Sequence, residues 1–255
     1  MRENTGENHA KDAGDLGRTE VSLIVPVYNE EDNIAPLTAE IKAAMARQSR
    51  LWELIFVDDG SGDQSLARIK AEAAADRRLR YLALAENSGQ SAALFTGFME
   101  AEGAILVTLD ADLQNDPADI PRLLDLFGRD NDMVIGVRRR RQDSVIKKMS
   151  SRFANAVRNR LTSEDVSDTG CSLKVMRASM VARLPAFRGM HRFLPTLMKL
   201  LEAKVAESPV NHRPRVRGFS KYGVWDRAFS GFCDLLAVRW MQKRNIHGCK
   251  IRERG

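Results

Sequence analysis

The residues best placed to do chemistry are two carboxylates in Asp110-Ala111-Asp112, directly after the apolar run Ala104-Ile105-Leu106-Val107-Thr108-Leu109. A second acidic pair, Asp58-Asp59, follows another such run, Leu54-Ile55-Phe56-Val57. Buried strands that end in acids bring several carboxylates to one edge of a sheet. In open α/β sheets that edge, outside the carboxyl ends of the strands, is where ligands bind. Acids gathered there suit a divalent cation with hard oxygen ligands, and such a cation usually accompanies a phosphate-bearing ligand. On an extended segment, carboxylates two residues apart share a side and can converge on one ion. The competing reading is a solvated acidic turn.

These acids have to be positioned, and from Val21 onward the pattern alternates strand and helix. Strands are predicted at residues 21–27, 51–57, 79–84, 104–109 and 133–137, with helices at 30–46, 65–75, 91–102 and 117–127. That alternation implies a mainly parallel sheet covered on both faces. Beyond Arg138 the pattern changes. A basic helix over 145–161 leads to a turn at Ser167-Asp168-Thr169-Gly170 and a strand over 172–176. Helices over 179–184 and 193–201, a strand over 205–210, a basic loop over 212–223 and an amphipathic helix over 224–243 follow. In that last helix Trp225, Phe229, Phe232, Leu236 and Trp240 recur at helical spacing, which suits either packing on the core or a membrane interface. Pro26 closes the first strand, and Asn29 is suited to cap the helix after it.

The chain of 255 residues, 44% of them hydrophobic, can bury a substantial core. Its net charge of +6 is concentrated. Between Arg138 and Arg160 nine basic residues face only Asp143, a balance of +8, so the remainder sums to −2. A segment holding the whole positive excess implies an anionic partner. No nucleic-acid-binding module accompanies it, so nucleic acid is not the expected partner. Cys171, Cys233 and Cys249 lack metal-ligand spacing and read as reduced thiols. No amino-terminal signal peptide and no apolar run of about 18 residues are found, so a chain without a transmembrane helix is expected. A nicotinamide-dependent dehydrogenase shares the strand-helix alternation, but no G-x-G-x-x-G follows the first strand.

Four ordered stretches, VSLIVPVYNEEDNI, ELIFVDDGSGDQS, NSGQSAALFTGF and ILVTLDADLQNDP, together resemble the family 2 glycosyltransferases of the GT-A fold. The resemblance spans 21–117 and is greatest to the branch that uses polyprenyl phosphates, typified by dolichol-phosphate mannose synthase. It implies an α/β, GT-A fold with a mainly parallel central sheet and helices on both faces. An acceptor-side α+β segment and the carboxy-terminal amphipathic helix would follow. The expected organisation is a disordered tail at 1–19, a transferase domain at 20–223 and a helix and tail at 224–255. Within the domain, 20–137 would be the nucleotide-sugar half and 138–223 the acceptor half.

Carried over position by position, the resemblance implies that Pro26, Tyr28, Glu30 and Asp58 contact the nucleotide, with Asn87 in a loop beside the donor. Asp110 and Asp112 would hold Mg²⁺ or Mn²⁺ and the diphosphate, with Gln114 nearby. Asp168 matches an acid near the acceptor, and Arg138 a strand-end arginine that contacts phosphate. Lys147, Ser151 and Arg152 suit the acceptor phosphate. Arg213 and Lys221 belong to a basic loop that can close over phosphates, and His191-Arg192 lies near the same site.

The implied activity is inverting transfer of a sugar from a nucleotide-sugar, GDP-mannose or a UDP-sugar, to dolichyl or undecaprenyl phosphate. Its implied partners are that donor, the lipid acceptor at a membrane surface and a separate anchoring protein, with the chain peripheral on the cytoplasmic face. Relatives in this branch continue into transmembrane helices where this chain stops. Alternatives are a family 2 enzyme with a saccharide or other soluble acceptor, and a non-catalytic module that binds nucleotide-sugars.

Overall fold

The computed structural model describes residues 19–128, 130–138, 166–214 and 224–245, the first seven residues of the last segment by backbone alone. Lys147, Ser151, Arg152 and Lys221, together with the predicted basic helix and most of the basic loop, lie outside the described residues.

Seven strands form one sheet in the order β3-β2-β1-β4-β6-β5-β7. They are β1 Val21–Val27, β2 Trp52–Asp58, β3 Leu79–Ala83, β4 Ile105–Thr108, β5 Met133–Arg138, β6 Lys174–Arg177 and β7 Val205–Val210. Pairings β1–β2, β1–β4, β2–β3 and β5–β7 are parallel, whereas β6 runs antiparallel to both β4 and β5. Strands β6 and β7 therefore extend the sheet begun in the first half of the chain.

The helices are α1 Ile34–Met45, α2 Ser65–Ala75, α3 Gln90–Glu100, α4 Ile120–Phe127, α5 Ala178–Val181, α6 Leu194–Leu200 and α7 Val224–Arg244. Each central strand serves two cores, because alternate side chains face opposite ways. Leu54 and Phe56 of β2 join Ile34, Leu37 and Ile41 of α1, Ile69 of α2 and Leu123 of α4. Ile55 and Val57 join Leu94 and Phe98 of α3, Leu197 of α6 and Leu235 and Val238 of α7. Burial on both faces explains why these strands read as continuous apolar runs.

In α7 the stripe of sequence-spaced apolar residues faces outward: Phe232, Leu236 and Trp240 are exposed, while Leu235 and Val238 are buried. Packing of that stripe on the core is thereby excluded for these three residues. Among the described residues, no helix is long and apolar enough to cross a membrane.

Helix α3 approaches the sheet closely at Gly97. A Cβ there would overlap Ile24 Cγ2 and stand 3.2 Å from Val57 Cγ2. Gly97→Ala is expected to overpack this interface and lower stability by about 1–3 kcal/mol. A reduced urea midpoint at unchanged slope would register it; an unchanged midpoint would mean that α3 shifts freely.

Candidate active site

The parallel strands β1, β2 and β4 end together, with Val27 opposite Asp58 and Ile24 opposite Thr108. The chain also switches side here, since β2 and β3 lie on one flank of β1 and β4 on the other. The acidic turns thus meet at the edge where such sheets bind ligands. Pro26 sits beyond the last β1–β4 rung, Ile24–Thr108. Tyr28 and Glu30 follow at the same edge.

Asn29 does not cap the next helix. It adopts φ 52°, a left-handed conformation that asparagine tolerates better than most residues. Its Oδ1 accepts from the Gly62 amide at 2.7 Å, and its own amide donates to Ser61 Oγ at 2.9 Å. The Glu30 amide donates to Ser65 Oγ at 2.8 Å, and Glu30 Oε2 accepts from Asn33 Nδ2 at 2.6 Å. The turns after β1 and β2 are therefore laced into one unit.

Asp58 and Asp59 are both buried, but they do different things. Asp59 Oδ1 and Oδ2 accept from the amides of Ser88 and Gly89 at 2.7 and 2.9 Å. Burial pushes its carboxyl above the usual range, those two amides pull it back, and the neighbouring Asp58 raises it further. Asn87 Nδ2 adds a bond to the Asp59 carbonyl at 3.3 Å. Asp59 is thus the post around which the 87–90 loop is wound, a role that the sequence did not separate from that of Asp58. Gly60, at φ 68°, lies beneath this loop, and a Cβ there would stand 2.7 Å from the Asn87 nitrogen. Asp58 Oδ2 accepts from the Ser61 amide at 3.2 Å, whereas Oδ1 is buried with no hydrogen-bond partner.

Strand β4 ends at Thr108, and Asp110 and Asp112 lie on the turn beyond it. The alternation of an extended segment therefore does not govern these two acids. Leu113 takes φ 59°, a conformation that costs a non-glycine residue on the order of 1–3 kcal/mol and is found mainly at functional sites. Asp112 Oδ1 accepts from the Gln114 amide at 3.2 Å, and Asp110 Oδ1 accepts from Gln90 Nε2 at 2.7 Å. Among the described residues no group of three or more His, Cys, Asp or Glu could hold a metal ion. Two carboxylates do fit an ion that takes its other ligands from water and substrate phosphates, as Mg²⁺ usually does.

The other half of the site is built on the reversed strand. Asp168 makes a two-pronged pair with Arg138 at the end of β5: Nε to Oδ2 is 2.6 Å and Nη2 to Oδ1 is 2.8 Å. Ser172, just before β6, accepts from the Asp110 amide at 3.2 Å and from Asn115 Nδ2 at 2.6 Å. Its carbonyl accepts from Thr108 Oγ1 at 2.7 Å. A cavity of about 280 Å³ lies between the halves, with Asp110, Gln90 and Leu94 on one side and Thr169, Ser172, Lys174, His191 and Arg192 on the other. Arg213 stands apart from that lining. It forms ion pairs with Glu40 and Asp116 at 2.7 and 2.8 Å, strapping the segment after β7 to α1 and the turn after β4.

The structure thus brings Asp110 to the cavity with Asp112 two residues on. Asp58, Tyr28, Glu30 and Asn87 stand on the adjoining turns, and the Arg138–Asp168 pair flanks the far side. Lys174 and Cys171 were not among the expected site residues. Lys174 had a legible signal, a lone charge inside the apolar strand Leu173-Lys174-Val175-Met176.

The model of the family described as glycosyl transferase family 2 matches residues 22–184. Dodecaprenyl-phosphate galacturonate synthase of Rhizobium johnstonii is 38% identical over 229 residues, covering 88% of this chain and 68% of that protein. Undecaprenyl-phosphate 4-deoxy-4-formamido-L-arabinose transferase of Pectobacterium atrosepticum is 39% identical over 204 residues, covering 79% and 62%. The chain thus spans roughly two thirds of these relatives. Glucosyl-3-phosphoglycerate synthase from Mycobacterium tuberculosis, solved with Mn²⁺, uridine-diphosphate-glucose and phosphoglyceric acid, superposes with a TM-score of 0.64. That match covers 91% of this chain and 82% of the synthase at 18% identity, which shows the shared GT-A architecture and no more. Motifs, architecture and family match agree, and the chain belongs to glycosyl transferase family 2.

Proposed function

We propose that the protein is an inverting, metal-dependent glycosyltransferase that moves a sugar from a nucleotide-sugar to a polyprenyl phosphate. The observation that carries this reading is the meeting of two unlike half-sites at one cavity. The acidic turn of Asp110 and Asp112 lies on one side, and the partly buried Arg138–Asp168 pair flanks the other. The named acceptors of the relatives, dodecaprenyl and undecaprenyl phosphate, support the lipid acceptor.

Asp58 Oδ1 would accept a ring N–H of the base, which uracil and guanine offer and adenine does not. The loop wound around Asp59 would fix Asn87 beside the donor, with Pro26, Tyr28 and Glu30 framing the nucleotide. Asp110 and Asp112 would hold Mg²⁺ or Mn²⁺, with Gln114 adjoining, and the ion would neutralise charge on the departing diphosphate. An acceptor phosphate oxygen attacks the anomeric carbon from the opposite face. The new carbon–oxygen bond forms as the bond to the diphosphate breaks, and the diphosphate leaves with the electron pair.

A phosphate monoester has its second pKa near 6, so the nucleophile is already ionised at neutral pH. Asp168, with both oxygens engaged by Arg138, orients the acceptor side and takes no proton. Lys147, Ser151, Arg152 and Lys221 supply further positive charge and hydrogen bonds for phosphate, while Arg213 acts as a strap. The exposed stripe Phe232, Leu236 and Trp240 suits a membrane interface, which supports peripheral attachment beside the lipid acceptor, with the cytoplasmic leaflet as the proposed side. A separate anchoring protein is compatible with this placement.

The direct test mixes the protein with polyprenyl phosphate, Mg²⁺ or Mn²⁺ and labelled GDP- and UDP-sugars. Chelator-sensitive label in the organic phase is expected; label confined to water-soluble product would overturn the lipid acceptor. Asp112→Ala should abolish that transfer, and full activity in this variant would remove the metal assignment. Asp168→Asn should stay within about 30-fold of wild type, since no proton is taken; a loss near a thousandfold would identify it as a general base.

A further inference from the structure

Because β6 runs against its neighbours, its first residue reaches the edge at which β4 and β5 end. That residue is Lys174, in register with Thr108 of β4 and Ile135 of β5. It stands between the Asp110 turn and the Arg138–Asp168 pair and lines the cavity. The residue is only 3% exposed.

An ammonium carries three N–H donors. One is given to the Cys171 carbonyl, and the other two have no protein partner among the described residues. No carboxylate there forms an ion pair with it; burial pulls its pKa below the usual lysine range, and Cys171, Asp110 and Asp168 oppose that shift. A buried cation with unused donors is costly unless hydrogen bonding and opposite charge offset the lost water. Water can satisfy the donors, but only an anion also answers the charge.

The surrounding wall points the same way. Ser91 Oγ accepts from the Gly189 amide at 3.0 Å and shares a hydrogen bond with His191 Nδ1 at 2.7 Å. The His191 imidazole lines the cavity along with Lys174. Arg192 adds a guanidinium to the same lining. Its charge is favourable to Asp234 behind it, on α7.

We propose that Lys174 binds an oxyanion of the substrate in this cavity, either the acceptor phosphate or a carboxylate carried on the donor sugar. The two share one chemistry, a charged oxygen that accepts both unused N–H groups. The assignment rests on the proposed transfer only in taking the cavity as the place where donor and acceptor meet.

Binding is read without turnover, from the thermal midpoint of wild type, Lys174→Met and Lys174→Arg titrated with inorganic phosphate and, separately, with free galacturonate. At least one anion should raise the wild-type midpoint by several degrees, Lys174→Met should lose that rise, and Lys174→Arg should keep part of it. Steady-state assays with neutral-hexose and uronate nucleotide donors then separate the sources. A rise of tenfold or more in the acceptor KM of Lys174→Met with every donor, at little change in kcat, identifies the phosphate. A penalty confined to uronate donors identifies the sugar carboxylate.

Equal anion responses in wild type and Lys174→Met, or no response to either anion in wild type, would overturn the proposal. If Lys174→Met does not fold, the same titration on Lys174→Gln decides by the same criteria. A wild-type response lost in the variant, but with no lipid-linked product from any donor, would leave the anion site standing and remove the proposed transfer reaction.

Discussion

A carboxylate at the end of a buried strand has left water and must find donors, and the loops of this site are arranged by that requirement. Asp59 draws the amides of Ser88 and Gly89 around itself. Asp110 takes the Gln90 side chain, the first residue of α3. Asp112 accepts from the backbone two residues on, and Asp168 closes on Arg138. Each acid thereby fixes a separate piece of chain, and the pieces lie at one edge because β1, β2 and β4 run parallel towards it and β6 starts from it. Asp58 Oδ1 and two of the donors on Lys174 remain outside this protein-internal matching. Both groups are buried, which is why both are proposed to meet substrate atoms.

The antiparallel insertion of β6 is the second constraint. A wholly parallel sheet would bring only carboxyl-terminal strand ends to this edge. Reversal of one strand delivers Cys171, Ser172 and Lys174 to the same place and wedges them between β4 and β5. Ser172 then ties the Asp110 turn to Asn115 through a single hydroxyl. Gly136 completes the close fit, since a Cβ there would stand 2.9 Å from Cys171 Sγ and 3.1 Å from the Leu173 carbonyl. The two sides of the cavity are consequently one hydrogen-bonded unit on one sheet.

The strand-helix alternation was legible because parallel strands covered on both faces must be apolar throughout. β1, α2 and β7 occur at the expected residues, and most other elements differ from expectation by one to three residues at an end. What could not be read was direction and pairing. Nothing in Lys174-Val175-Met176 says that this strand runs backwards between two others, because apolar periodicity is identical either way. The division of labour between Asp58 and Asp59 was hidden for a similar reason. Adjacent acids differ only in which loop comes down onto them, and that depends on contacts 29 and 30 residues away. Arg213 carried a positive charge that suggested phosphate, and in the fold it meets Glu40, 173 positions earlier, and Asp116.

The carboxy-terminal helix shows how far a periodic stripe can mislead about direction. Apolar residues at helical spacing normally mark the buried face, yet in α7 Phe232, Leu236 and Trp240 face outward while Leu235 and Val238 join the core. Asp234 lies beside those buried residues and is pressed against Gly189, where a Cβ would overlap its carboxylate. Burial pushes that carboxyl above its usual range, with Arg192 opposing the shift. Gly189, at φ 92°, opens the short turn that places His191 and Arg192 at the cavity. The packed face of α7 therefore bears directly on the turn that lines the site, while its opposite face presents an apolar stripe to the surroundings. Any side chain at position 189 would have to displace Asp234, so the glycine is what lets this helix and this turn meet.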